Sequence, residues 1–237
     1  RTYSLNRNWR YGGKTRPAIT DPTFDDSGWE RITLPHSNVR LPWHSFDDRG
    51  YEFVSVYRRR FSTPGSWAGK RVFLDFAGVM TAATVSINGH KFPEYKGGYT
   101  PFSFEITDQL KPENVLAVEV DSTERADIPP FGDNIDYLTF GGIYRDVQVR
   151  VVPRTFIDNV FAKPVRVLSS DRGLHVRVYL NGNDPGLLSA ELRDGGAVVA
   201  EGHTRVSSPA EYHDLKIDRA GEVKLWDLDN PKLYDVV

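Results

Sequence analysis

The dipeptide Asn88-Gly89 constrains this chain more than any other feature. It stands between Thr84-Val85-Ser86-Ile87 and His90-Lys91-Phe92. Asn-Gly supplies the two positive-φ positions of a type I′ turn, so these segments form a β-hairpin. The same short alternation recurs along the chain. Val72-Phe73-Leu74-Asp75-Phe76 reads as a strand, Leu116, Val118 and Val120 alternate with Ala117 and Glu119, and Val147, Val149 and Val151 alternate with Gln148 and Arg150. A period of two, punctuated by Gly, Pro, Asn and Asp, is the pattern of antiparallel sheets. Helical periodicity is nearly absent. The expected fold class is all-β.

Composition bounds the function. The 237 residues are 39% hydrophobic and 12% aromatic, enough for a core in each of two domains. Lys and Arg number 30 against 32 Asp and Glu, a net charge of -2. With no basic excess, a nucleic acid is not an expected partner. No run of about 18 apolar residues and no basic amphipathic stretch points to a membrane. There is no cysteine, which excludes disulfides, thiol catalysis and Cys-ligated zinc. The start, Arg1-Thr2-Tyr3-Ser4, has neither an apolar signal region nor an initiator Met, and reads as processed or trimmed. The compartment is left open.

The pattern restarts after Val152-Pro153-Arg154, where Pro153 suits a strand exit. Residues 1–152 fit a jelly-roll β-sandwich and residues 153–237 an immunoglobulin-like β-sandwich. In the second, Leu174, Val176, Val178 and Leu180 face one side, and Asp194-Gly195-Gly196 turns between two strands. Tyr212 to Ile217 and Glu222 to Trp226 read as two more. Leu233 to Val237 begins a further strand and the chain stops without a closing turn. That reads as a sandwich cut near its last strand, which would expose a neighbouring edge; the alternative is a chain that ends on a strand.

Several segments, in order, resemble glycoside hydrolase family 2, the β-galactosidases, β-glucuronidases and β-mannosidases. They are Asn8-Trp9-Arg10-Tyr11, Phe24-Asp25-Asp26-Ser27-Gly28-Trp29, Leu34-Pro35-His36, Val56-Tyr57-Arg58-Arg59-Arg60-Phe61 and Gly98-Tyr99-Thr100-Pro101-Phe102. Phe140-Gly141-Gly142-Ile143-Tyr144-Arg145-Asp146-Val147 is the most specific, and Leu225-Trp226 with Asn230-Pro231 and Leu233-Tyr234 closes the set. The resemblance implies a galactose-binding-like jelly roll, an immunoglobulin-like domain and a missing C-terminal catalytic barrel as the partner of both. Retaining hydrolysis needs two carboxyl groups about 5 Å apart. The family's acid/base Glu follows an Asn, and no Asn-Glu dipeptide occurs here. The expectation is therefore a piece with no catalytic residue of its own, whose parent hydrolyses β-galactosides or β-glucuronides. The resemblance also allows a homo-oligomer and, in the parent enzyme, a sodium or magnesium ion.

Sugar is held by carboxylates and amides on its hydroxyls and by aromatic faces. The turn-rich stretch Asp127 to Tyr144 is the first place to look. The family's jelly roll sends an Asp, a few residues before Gly-Ile-Tyr-Arg, toward the barrel's active site; that position is Asp136. Asn134 and Tyr137 share its loop. Trp43, in Pro42-Trp43-His44-Ser45-Phe46, is a candidate stacking platform. Each has a plainer alternative: an Asx-turn for Asp136, loop packing for Asn134 and Tyr137, a cover over the sandwich end for Trp43. The family's Asn just before the Tyr-Arg-Arg strand is replaced by Val54. Trp9, Trp29, Trp67 and Trp226 read as packing. No motif binds a metal: His36, His44 and Asp47-Asp48 match no zinc spacing. A stand-alone carbohydrate-binding protein and a purely structural sandwich pair remain the competing readings.

Overall fold

The computed structural model describes residues 1–16, 18–40, 48–132 and 137–237. They form two compact units, Arg1–Val152 and Pro153–Val237.

In the first unit the strands are β1 (Thr2–Ser4), β2 (Trp9–Lys14), β3 (Glu30–Ile32), β4 (Val54–Ser62), β5 (Arg71–Phe76), β6 (Ala82–Ile87), β7 (His90–Lys91), β8 (Tyr95–Lys96), β9 (Phe102–Glu105), β10 (Glu113–Asp121) and β11 (Val147–Val152). Among the described residues one sheet runs β1-β11-β5-β9 and the other β3-β2-β4-β10-β6-β7, with β8 also on β6. All the pairings are antiparallel. The two sheets close on Trp9, Tyr57, Leu74, Phe76, Val85, Leu116, Val118, Val147 and Val149. This is the jelly-roll sandwich. Asn88 and Gly89 take φ of 53° and 88°, and Ile87 pairs with His90 across the turn.

The central strands are buried on both faces, where the alternation of Leu116, Val118 and Val120 implies only one. Ala117, Arg58 and Ser86 lie opposite one another on the outer face and are all buried. The segment between β2 and β3 folds over them. Arg58 reaches into that segment, donating from Nε to Asp26 Oδ2 at 2.8 Å, from Nη1 to the carbonyl of Ile19, and to the carbonyls of Asp21 and Phe24. Its guanidinium also lies 5.3 Å from the Phe24 ring. Asp26 O accepts from Trp29 N, and the Trp29 ring covers Gly12, where a Cβ would meet ring carbons at 2.7 Å. Thus Phe24-Asp25-Asp26-Ser27-Gly28-Trp29 is a lid motif: one carboxylate and one ring for Arg58, one indole for a bare glycine.

The second unit contains β12 (Phe156–Val165), β13 (Gly173–Asn181), β14 (Gly186–Asp194), β15 (Ala197–Val206), β16 (His213–Ile217) and β17 (Asp235–Val236). The sheets β12-β13-β16 and β15-β14-β17 enclose Leu174, Val176, Val178, Ala190, Leu192, Leu215 and Ile217. This is the immunoglobulin-like sandwich. Val237 extends β17 through two bonds with Glu191, 2.8 and 3.0 Å.

Two expectations are corrected here. Glu222 to Trp226 is not a strand. Its backbone is held by side chains instead of a ladder: Arg172 Nη1 donates to Val223 O, and Lys224 N donates to Tyr234 Oη. Trp226 is accordingly not packed away. Without a sheet to turn it inward, the residue is 55% exposed beside an apolar groove shared with Leu225 and Leu233.

Candidate functional site

The sheet of the first unit ends where Asp121 of β10 stands opposite Val54 of β4 and Ala82 of β6. Beyond these ends, the stretches around residues 36–38, 51–53, 80–81, 122 and 141–143 meet. Gly141-Gly142-Ile143 is threaded through them. Met80 and Gly142 exchange two backbone bonds, 3.0 and 3.1 Å; Asn38 N donates to Gly141 O at 2.8 Å and His36 N to Ile143 O at 2.9 Å. Neither glycine can carry a side chain. A Cβ on Gly141 would fall on Ser122 Oγ, and one on Gly142 would lie 2.6 Å from His36 O with φ at +121°.

Tyr57 lies beneath this crossing. Its hydroxyl lies 3.1 Å from His36 Nδ1. Burial raises the Tyr57 hydroxyl far above its ordinary value and lowers the His36 imidazole. Both are therefore neutral, and one proton is shared between Tyr57 Oη and His36 Nδ1. Tyr11, its ring tilted against that of Tyr57 at 5.0 Å, donates to Asn38 O at 2.7 Å, and burial pushes its hydroxyl up to about 12.

A cavity of about 330 Å³ opens at this end, lined by Tyr51, Ser122, Thr123, Arg125, Phe131 and Tyr137 among others. Arg125 is tied to Glu94 at 2.8 Å, Asp127 at 3.1 Å and Asp121 at 3.5 Å, and Lys96 meets Asp127 at 2.5 Å. Hydrogen bonds from Arg125 and Lys96 hold the Asp127 carboxyl far below the usual carboxylate range. Beside this ionic wall, Tyr99, Phe131, Tyr137 and Phe140 are exposed. Hydroxyls and carboxylates next to aromatic faces suit a sugar, which presents hydroxyls on its edge and C–H groups on its face.

Of the candidate sugar residues, Tyr137 lines the cavity with its ring 56% exposed, and its hydroxyl accepts from Tyr99 at 3.3 Å. Burial, and then this bond, raise the Tyr99 hydroxyl to about 12. Asp136, Asn134 and Trp43 lie outside the described residues. Among the described residues no group of three His, Asp or Glu side chains is gathered as for a metal. Sequence reasoning missed Asn38 and Ser122. A single polar residue in a loop has no periodicity to mark it, and both are visible only as buried side chains, 5% and 4% exposed.

The fold is that of a galactose-binding-like jelly roll followed in the chain by an immunoglobulin-like sandwich. Residues 50–132 match the glycosyl hydrolase 2 galactose-binding domain-like family. The chain is 34% identical over 242 residues to the β-galactosidase of Thermoanaerobacterium thermosulfurigenes, covering 98% of this chain and 34% of that protein. It is 27% identical over 272 residues to a β-glucuronidase of Formosa agariphila, covering 100% of this chain and 27% of that one. Among solved structures, a β-glucuronidase of Bacteroides uniformis superposes with a TM-score of 0.80 at 30% identity, over 100% of this chain and 30% of that chain. Almost the whole chain is thus similar to β-galactosidases and β-glucuronidases, and residues 50–132 to the glycosyl hydrolase 2 galactose-binding domain-like family. It spans about a third of the length of the curated relatives it matches.

Proposed function

We propose that this chain is the non-catalytic, N-terminal part of a retaining β-glycosidase acting on β-galactosides or β-glucuronides. Its jelly roll braces the catalytic barrel and lends Asp136, with Asn134, Tyr137 and Trp43, to the sugar subsite; the second sandwich is a spacer. The observation that carries this reading is the match of almost the whole chain to a third of a β-galactosidase, in a sequence without the family's Asn-Glu dipeptide. The two carboxyl groups that protonate the leaving oxygen and attack the sugar carbon then lie on the barrel, as do the contacts that choose the sugar, and any sodium or magnesium ion belongs to the parent enzyme. The 237-residue chain alone turns over neither nitrophenyl β-galactoside nor nitrophenyl β-glucuronide. Turnover by the pure chain refutes the reading; in the whole enzyme, wild-type kinetics after Asp136→Ala refute the role of Asp136.

The exposed Tyr99, Phe131, Tyr137 and Phe140 beside a polar cavity favour a second reading, a chain that binds sugar by itself. Calorimetric titration with galactose and glucuronate separates the two: measurable affinity that Asp136→Ala abolishes supports the second.

A further inference from the structure

We propose that Asn38 is a positioning residue that holds, from one side chain, the roots of both loops assigned to the sugar subsite. The inference rests on the proposed role of those loops, which carry Trp43 on one side and Asn134 and Asp136 on the other.

Asn38 makes contacts in three directions. Its Nδ2 donates to Tyr51 O at 2.8 Å, three residues before β4 begins and just after the loop of Trp43. The same Nδ2 lies 3.4 Å from Ser122 Oγ, at the start of the stretch that leads to Asn134 and Asp136. Its backbone N–H donates to Gly141 O, at the far end of that stretch. Ser122 closes the circuit: its Oγ donates to Met80 O at 3.1 Å, and Met80 is bonded in turn to Gly142. Tyr11 fixes Asn38 from below through its carbonyl. A buried amide whose donors serve two loops couples them, because a displaced Nδ2 leaves Tyr51 O and Ser122 Oγ without it at once. The clamp needs no motion of the sheet, since Tyr57 belongs to the buried core and Tyr11 packs against it. Asn38 touches no sugar in this account; it acts through the loops.

Hydrogen exchange on the 237-residue chain tests the clamp directly. In Asn38→Ala, exchange rises about tenfold or more at Phe53, which donates to Tyr51 O, and at Gly142, which donates to Met80 O, while Tyr57 and Val118 in the core keep their protection. Asn38→Asp, nearly isosteric but without a donor toward Tyr51 O, behaves like the alanine variant. A rise at only one of the two roots, an equal rise in the core, or wild-type exchange in the aspartate variant overturns the proposal. Should Asn38→Ala not fold, Ser122→Ala decides: it loosens Gly142 and leaves Phe53 protected, and protection unchanged at both sites overturns the clamp. In the whole hydrolase, Asn38→Ala lowers kcat/KM about 10–100-fold, and its loss combines with that of Asp136→Ala less than additively. Unchanged kinetics with loosened loops would instead refute the assignment of these loops to the sugar while the proposed absence of turnover by the chain alone stands.

Discussion

Arg58 is the most consequential cation in the first unit, and its loss of partner can be worked out from the contacts. Its side chain is 0% exposed, and among the described residues the carboxylate bonded to it is that of Asp26, at 2.8 Å. Asp26 is itself almost buried, so neither charge is relaxed by water as a surface pair would be. The other bonds of the guanidinium run to the carbonyls of Ile19, Asp21 and Phe24, which solvate the charge without neutralising it. Asp26→Ala therefore leaves a desolvated cation without the carboxylate bonded to it. Breaking a buried pair from one side costs about 3–5 kcal/mol. For a unit of this size each kcal/mol shifts the midpoint by about 2–4 °C, so the melting temperature falls by about 6–20 °C. Arg58→Met also destabilises, because three carbonyls lose their donors. The diagnostic is the cycle: in the Arg58→Met background the further change Asp26→Ala costs less than about 1 kcal/mol, because the charge that needed Asp26 is gone. Urea titration of the four proteins, followed by tryptophan fluorescence, measures each step. A loss below about 1 kcal/mol for Asp26→Ala alone, or equal costs in both backgrounds, refutes the reasoning.

Two more outcomes follow from the site. Gly142→Ala adds a disallowed φ to a Cβ 2.6 Å from His36 O and costs about 2–6 kcal/mol in the same titration, whereas Gly13→Ala, at φ +71° with nothing within 4 Å, costs about 1–2 kcal/mol. His36 gives a pH dependence: burial lowers its folded pKa below the unfolded value of 6.5, so the unfolded chain binds the proton first, and stability present above about pH 6.5 is lost as the pH falls through the folded pKa. Thermal melts between pH 7 and pH 5 show that loss in the wild type, and a flatter profile in His36→Asn.

Much of the fold could be read from residues near one another in the chain. The Asn88-Gly89 hairpin, the strand of Val147 to Val151 and the strand of Leu174 to Leu180 depend on turn chemistry and period-two burial, both local properties. Glu222 to Trp226 was misread for the complementary reason. Its composition suits a strand, but a strand needs a neighbour, and here Arg172 and Tyr234, distant in the chain, hold the backbone instead. The candidate site was legible only where a motif marked it. Gly141-Gly142 could be seen as a signature, but the reason for both glycines is the presence of Ser122, His36 and Tyr57 around them.

The amino-acid order alone settles that the chain is all-β, that it changes domain near Pro153, and that its motifs are those of family 2, because these rest on spacing and residue type. The burial of Arg58 beneath the lid segment, the exposure of Trp226, and the meeting of Asn38 with Tyr51, Ser122 and Gly141 belong to the folded chain. Each depends on which residues far apart in sequence are brought to one place. A buried arginine and a surface arginine are spelled alike, and only the partner at 2.8 Å tells them apart.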